Sequence, residues 1–161
     1  SSDANGWVAY SVEDSASDLT LAANANPYTD NGGSAPNSTG WLKCTYGVNQ
    51  TNESGIELDI SGSPISVDLN ESDVTTVTGD MYIHSGSNWD SFSSTIQLRC
   101  HIPGYNSSTG NATPGSVYSF DITKTNNHGG DDVRLTFHQT AQLPQDGAVI
   151  YFKNITITVF R

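Results

Sequence analysis

Three stretches of the chain alternate apolar with polar residues, and their polar positions carry imidazole, guanidinium, amide or aromatic groups rather than plain hydroxyls. They are Asp80-Met81-Tyr82-Ile83-His84, Ile96-Gln97-Leu98-Arg99-Cys100-His101-Ile102 and Val133-Arg134-Leu135-Thr136-Phe137-His138. A period of two belongs to a strand, whose side chains point alternately to opposite faces. With Met81, Ile83, Ile96, Leu98, Cys100, Ile102, Val133, Leu135 and Phe137 turned to a core, one shared face receives Tyr82, His84, Gln97, Arg99, His101, Arg134, Thr136 and His138. That face holds three of the four His and two of the three Arg. Arg supplies forked planar donors, Gln donates and accepts, and His does either according to tautomer. A polar ligand held by planar hydrogen bonds is the chemistry this suits. The competing reading is the ordinary solvated face of an antiparallel sheet.

Such residues need strands to hold them. Apolar alternation and turn signals predict strands over 7–12, 18–23, 41–48, 55–60, 65–69, 77–84, 95–102, 116–122, 132–139 and 148–160, separated by Gly-, Pro-, Asn- and Ser-rich turns. No stretch carries sustained helical periodicity, and 24–40 is the longest irregular segment. Ten short strands make an all-β chain, a two-sheet antiparallel sandwich or jelly roll. At 161 residues the whole of 1–161 fits one domain with a core of its own, expected to be monomeric.

Charge narrows the partners. A formal net charge of -11 repels a phosphate backbone and an anionic bilayer, so neither nucleic acid nor membrane insertion is expected. The start, Ser1-Ser2-Asp3-Ala4-Asn5, has neither a basic nor an apolar run, so a leader peptide would have been removed or be absent from this sequence. Asn-X-Ser/Thr acceptors at Asn37, Asn49, Asn52, Asn70, Asn106, Asn111 and Asn154 favour a secreted, extracellular chain. Cys44 and Cys100 both lie in strand-like segments, as a disulfide or as two buried thiols. Trp7, Trp41, Tyr28 and Tyr46 read as structural, and Asp131-Asp132 as a solvated turn.

The order of pieces then resembles a known group. Gly6-Trp7, the run Gly40-Trp41-Leu42-Lys43-Cys44-Thr45-Tyr46, Gly79-Asp80-Met81-Tyr82-Ile83, the strand from Ile96 to Ile102, Asp132-Val133-Arg134-Leu135-Thr136-Phe137 and the closing Ile150-Tyr151-Phe152-Lys153-Asn154-Ile155-Thr156-Ile157 are similar to the jelly-roll carbohydrate-binding modules of the galactose-binding-like group, families 4, 11 and 22. The resemblance implies a non-catalytic module, tethered to a secreted glycoside hydrolase, that holds one glycan chain in a cleft across a concave sheet. It also implies that the three alternating stretches line that cleft. It further implies a structural calcium bound near the chain ends by an Asp of the closing strand. Asn154 stands in that place here and the acidic N-terminal motif is missing, so no cofactor is expected to be required.

A sugar fits the residues. A pyranose has hydroxyls around its edge and apolar C–H faces, so its cleft wants planar hydrogen-bonding groups beside an aromatic platform. Candidate platforms are Tyr82, Trp89 and Tyr105; Trp89 reads equally as a buried loop anchor. One or two aromatics suit a single chain of β-glucan, cellulose oligomer or xylan, while the two Arg leave room for a uronate.

Three other readings compete with this one. A His-metal enzyme of cupin type would use the three imidazoles, but its His-X-His pair is absent and Arg99 would put a fixed cation in the site. A carboxylate-pair glycosidase or lyase needs two facing acids. Glu57 and Asp59 share a strand face, yet on a strand outside the three that form the expected cleft. A lectin-like adhesion or structural domain would share the fold, which does not by itself decide function. No catalytic residue is assigned.

Overall fold

Apolar residues at every second position let a strand bury one side only, and such strands are stable when two layers of them close over a common interior. The structure, a computed structural model, describes residues 6–12, 18–59, 68–90, 95–130, 132–138 and 142–161. Among these, one antiparallel sheet runs in the order β1 (Trp7–Ser11), β4 (Ser54–Asp59), β9 (Asp132–Phe137), β6 (Ile96–Ile102) and β7 (Tyr105–Ala112). The second runs β2 (Leu19–Ala25), β3 (Trp41–Tyr46), β10 (Val149–Phe160), β5 (Val74–Ile83) and β8 (Val117–Thr125). This is the all-β jelly-roll sandwich expected.

The first sheet sends Trp7, Ile56, Leu58, Ile96, Leu98, Val133, Leu135 and Phe137 inward; the second sends Leu42, Tyr46, Val77, Met81, Ile83, Phe120, Ile150 and Phe152 to meet them. Cys44 and Cys100 lie in this interior as free thiols, and burial pushes each up to about 12. The two long irregularities in the second sheet fall at asparagines. Asn24 (φ 58) and Asn154 (φ 56) occupy the left-handed region where β2 and β10 shift register, a conformation that short amide side chains tolerate.

Two elements escape the period-two reading. β7 carries Tyr-Asn-Ser-Ser-Thr-Gly-Asn-Ala, which has no apolar alternation because it is an edge strand with little to bury. It follows a tight turn in which Pro103 precedes Gly104 at φ 86, so the expected loop is a hairpin. The segment 24–40 contains α1 (Pro27–Asn31), whose Asn26 cap accepts from the Tyr28 and Thr29 amides and whose Pro27 opens the helix. Of the expected strand 65–69, residues 65–67 lie outside the described ones, and Leu69 forms a single bridge with Gly130.

α1 and the residues after it cover the outer side of the second sheet. Ala35, Trp41, Tyr82 and Tyr151 make a second buried cluster there. The Tyr151 hydroxyl donates to Asp30 Oδ2 at 2.9 Å and accepts from Asn31 Nδ2 at 2.9 Å, and Lys43 Nζ donates to the same Asp30 oxygen at 2.9 Å. Trp7, Trp41 and Tyr46 are buried as expected, whereas Tyr28 on α1 is 45% exposed and packs into neither cluster.

Two outcomes follow from this packing. Leu98 has no exposed surface, so Leu98→Ala should lower unfolding free energy by about 2–4 kcal/mol in chemical denaturation, the cost of a cavity that neighbouring strands cannot close. Both thiols should resist a thiol-specific reagent at pH 8 until denaturant is added, then react together; a folded protein that titrates either one would contradict the packing.

Candidate functional site

Cross-strand register lines up the outward residues of the first sheet in rungs. One rung crosses all five strands: Val8 pairs with Glu57, Glu57 with Arg134, Arg134 with His101, and His101 with Asn106. The outward rung beside it runs Tyr10, Gly55, Thr136, Arg99 and Ser108. The intervening rung, Ala9, Ile56, Leu135 and Cys100, points to the core side. Gly55 is required where it sits, because a Cβ there would run into the Leu135 carbonyl.

Arg134 is the centre of this face. Its Nε donates to Glu57 Oε2, its NH2 lies 2.7 Å from Asp132 Oδ2, its NH1 reaches the Tyr10 hydroxyl at 3.5 Å, and its guanidinium stacks 4.5 Å from the Tyr10 ring centroid. One rung along, Arg99 NH1 donates to Glu53 Oε2 at 3.1 Å, while Glu53 Oε1 accepts from the Thr136 hydroxyl at 2.6 Å. His101 Nδ1 is 2.7 Å from Asn106 Oδ1, and its Nε2 lies 3.8 Å from Asp132 Oδ2. Burial, then the nearby Arg99 charge, hold His138 below its ordinary value, with Glu53 working the other way. Burial pushes the Tyr10 phenol up against the opposing pull of Arg134.

Of the residues expected at the site, Gln97, Arg99, His101, Arg134 and Thr136 belong to this sheet as anticipated, and His138 directly follows β9. Thr136 is nevertheless fully buried under Glu53, out of a ligand's reach. Four expected residues are elsewhere. Tyr82 and His84 belong to β5 and the residue after it in the other sheet, so the three alternating stretches do not form one face. Tyr82 is 2% exposed, sealed in the second cluster with its ring 6.0 Å from Tyr151. Trp89 is 6% exposed and packs edge-on to Phe137 at 5.2 Å, the loop anchor rather than the platform. Tyr105 pairs with inward-facing Ile102 and so leaves the His101 and Asn106 side; 40% exposed, it lies under Lys124 of β8 at 5.9 Å.

The face also contains what the sequence reading left out: Tyr10, Glu53, Glu57, Asn106 and Asp132. Glu57 was expected on a strand outside the cleft and Asp132 in a solvated turn. Both expectations fail because β4 inserts between β1 and β9 and because Asp132 opens β9 beside Arg134. Signals for Tyr10 and Glu57 were present in the alternation of Trp7-Val8-Ala9-Tyr10 and Ile56-Glu57-Leu58, but nothing in them names the neighbouring strand.

The second sheet's outer side has a depression of about 280 Å³ lined by Thr78, Gly79, Asp80, Ser119, Phe120, Asp121 and Asn154. Its polar groups bond one another: Ser119 donates to Asp80 Oδ1 at 2.6 Å and Asn154 Nδ2 to Asp80 Oδ2 at 2.8 Å. Asn154, which stands where the resemblance implies a calcium-binding Asp, is thus tied to Asp80. Among the described residues no three His, Cys, Asp or Glu side chains gather as a metal set. With His84 in the opposite sheet, the three-imidazole metal reading loses its geometry.

No family model matches the sequence, and no curated protein matches it either. Solved structures match the fold. The CBM22-1 xylan-binding domain of Paenibacillus barcinonensis Xyn10C superposes with a TM-score of 0.60 at 10% identity, over 100% of this chain and 90% of that one. The CBM22-1–GH10 modules of Clostridium thermocellum endo-1,4-β-D-xylanase 10B, complexed with xylohexaose, give 0.54 at 11% identity over 98% of this chain and 26% of that one. The CBM22-2 xylan-binding domain of Xyn10C gives 0.53 at 12% identity. At such identities the likeness is one of fold.

The depressed His138 titration predicts a pH effect with a definite sign. A base protonated more readily unfolded than folded makes stability fall as pH drops below 6.5 towards the folded value. His138→Gln should remove that loss, so wild type should weaken relative to the variant in urea unfolding between pH 7.5 and pH 5.5. Parallel curves for the two proteins would place the imidazole in open solvent.

Proposed function

We propose that this chain is a non-catalytic carbohydrate-binding module that holds one plant-type polysaccharide chain, of the β-glucan, cellulose-oligomer or xylan kind, on the outer face of the β1-β4-β9-β6-β7 sheet. The observation that carries this reading is the pair of outward rungs. They set amide, imidazole and carboxylate groups in rows across five strands, with the Tyr10 ring and Val8, 53% exposed, on the edge strand and Val12, 52% exposed, just beyond it. Rows of fixed donors and acceptors beside an apolar rim match a pyranose chain, whose hydroxyl edges and C–H faces alternate along its length. Support for the glycan class comes from the fold shared with xylan-binding domains, one of them joined to a GH10 module.

The same face argues against turnover. General acid catalysis requires a carboxyl able to hold a proton and release it to the leaving group. Glu53 and Glu57 are instead each bonded to a guanidinium, and Glu53 also takes the Thr136 hydroxyl. A module of this kind is expected outside the cell, tethered to a glycoside hydrolase, and among the described residues no helix is long and apolar enough to cross a membrane.

Affinity gel electrophoresis against soluble β-glucan, xylan and a cellulose derivative tests the reading. Retention at micromolar-range affinity, about -6 to -8 kcal/mol, is expected for at least one. Tyr10→Ala and Gln97→Ala should each weaken it by about tenfold, roughly 1.4 kcal/mol, with the thermal midpoint nearly kept. Tyr82→Ala should act oppositely, costing about 3 kcal/mol of stability through a cavity under α1. Full retention by the Tyr10 and Gln97 variants would move the site to the other sheet.

A further inference from the structure

Two arginines on a ligand-binding face ordinarily announce a carboxylate, since the guanidinium fork matches one in two parallel hydrogen bonds. Here each guanidinium is already paired with a carboxylate of the chain itself. All three Arg134 nitrogens face chain partners, Glu57, Asp132 and the Tyr10 hydroxyl, and the Tyr10 ring covers one flat side. Arg99 is turned to Glu53, whose second oxygen is fixed by Thr136. The face therefore sets two guanidiniums against three carboxylates, Glu53, Glu57 and Asp132. Two imidazoles stand beside them. His101 is bonded to Asn106 and lies 3.8 Å from Asp132, and His138 is held towards its neutral form. The chain behind carries a formal charge of -11.

Resting on the glycan reading above, we infer that this face takes uncharged glycan chains and excludes uronates, its two arginines serving as internal counter-ions rather than as ligand contacts. A uronate approaching Arg134 would have to displace Glu57 or Asp132, which the backbone holds in place at no further entropic cost. It would meanwhile lie against the remaining carboxylates. Like charges brought that close disfavour ionisation of one of them, and this acts as a penalty on the wrong ligand. A neutral pyranose loses nothing by the arrangement: its hydroxyls donate to the outer carboxylate lone pairs and accept from the remaining N–H groups. The acids tell charged sugars from neutral ones, and the arginines keep the acids aligned.

The test is isothermal titration of wild type, Glu57→Gln and Glu53→Gln with a neutral xylo- or cello-oligosaccharide and with an oligogalacturonate, at about 20 mM and about 0.5 M NaCl. Wild type should bind a neutral oligosaccharide with less than about a twofold change across that salt range and show no heat with oligogalacturonate. Either Gln variant should gain oligogalacturonate binding that falls by about tenfold or more at the higher salt. Oligogalacturonate binding by wild type would overturn the exclusion while leaving a glycan face in place. Neutral binding by wild type with no gain in a folded Gln variant, checked by circular dichroism, would overturn the counter-ion role. Absence of binding to every glycan would overturn the glycan reading itself and this inference with it. Should neither variant fold, the wild-type comparison of neutral and acidic ligands at two salts still decides the exclusion.

Discussion

The cross-strand pairing of Glu57 with Arg134 is the constraint on which the outer face depends. In an antiparallel ladder, residues directly opposite bring their Cβ atoms to about 5 Å, so a carboxylate and a guanidinium placed there meet without searching. Shifting β4 by one residue against β9 would turn Glu57 inward and expose Ile56 while Arg134 kept its outward place, a change the core forbids. The hydrophobic pattern thus fixes the register, and the register fixes the ion pair. From that pair the remaining contacts spread outward, to Tyr10 on one side and to Asp132, His101 and Asn106 on the other.

Part of this was legible in the sequence. Alternation in β6, β9 and β4 is clean enough that the side of the pleat taken by Gln97, Arg99, His101 and Arg134 follows from their apolar neighbours, and the sandwich follows from the number of such strands. Strand order does not. β1, β4, β9 and β6 are far apart in the chain, and nothing in a single sequence says that Glu57 lies beside Arg134 or that β5 belongs to the opposite layer. Tyr82 shows the consequence. Its outward position was read correctly, but α1 and its following loop lie over that side of the sheet, so an outward residue became a buried one.

Short local signals carry no periodicity. Asn26-Pro27 at the start and Gly32 at the end are the cap, first-turn and terminating residues of a helix, yet five residues give no periodicity to detect. β7 lacks apolar alternation because an edge strand of a sandwich need not bury a face, and its pairing with β6 is carried by main-chain bonds. Both elements matter to function. One removes Tyr82 from the surface, and the other supplies Asn106.

The ion pairs of the outer face are better understood as fixing positions than as holding the fold together. The Arg99, Arg134, Glu53 and Glu57 side chains keep 17–27% of their surface exposed, a setting in which such pairs contribute about 1 kcal/mol or less each. The stability of the sandwich comes from the interior rungs, where Leu98, Leu135 and Ile56 are wholly buried. What the network supplies is rigidity: long side chains that would otherwise lose rotamer freedom on meeting a ligand are already immobilised in the free protein. A weakly interacting ligand such as a neutral sugar gains most from that, since each hydroxyl contact is worth little and any ordering cost would consume it. On the proposed reading, the same charges that add little to folding would set how a sugar is held on this face.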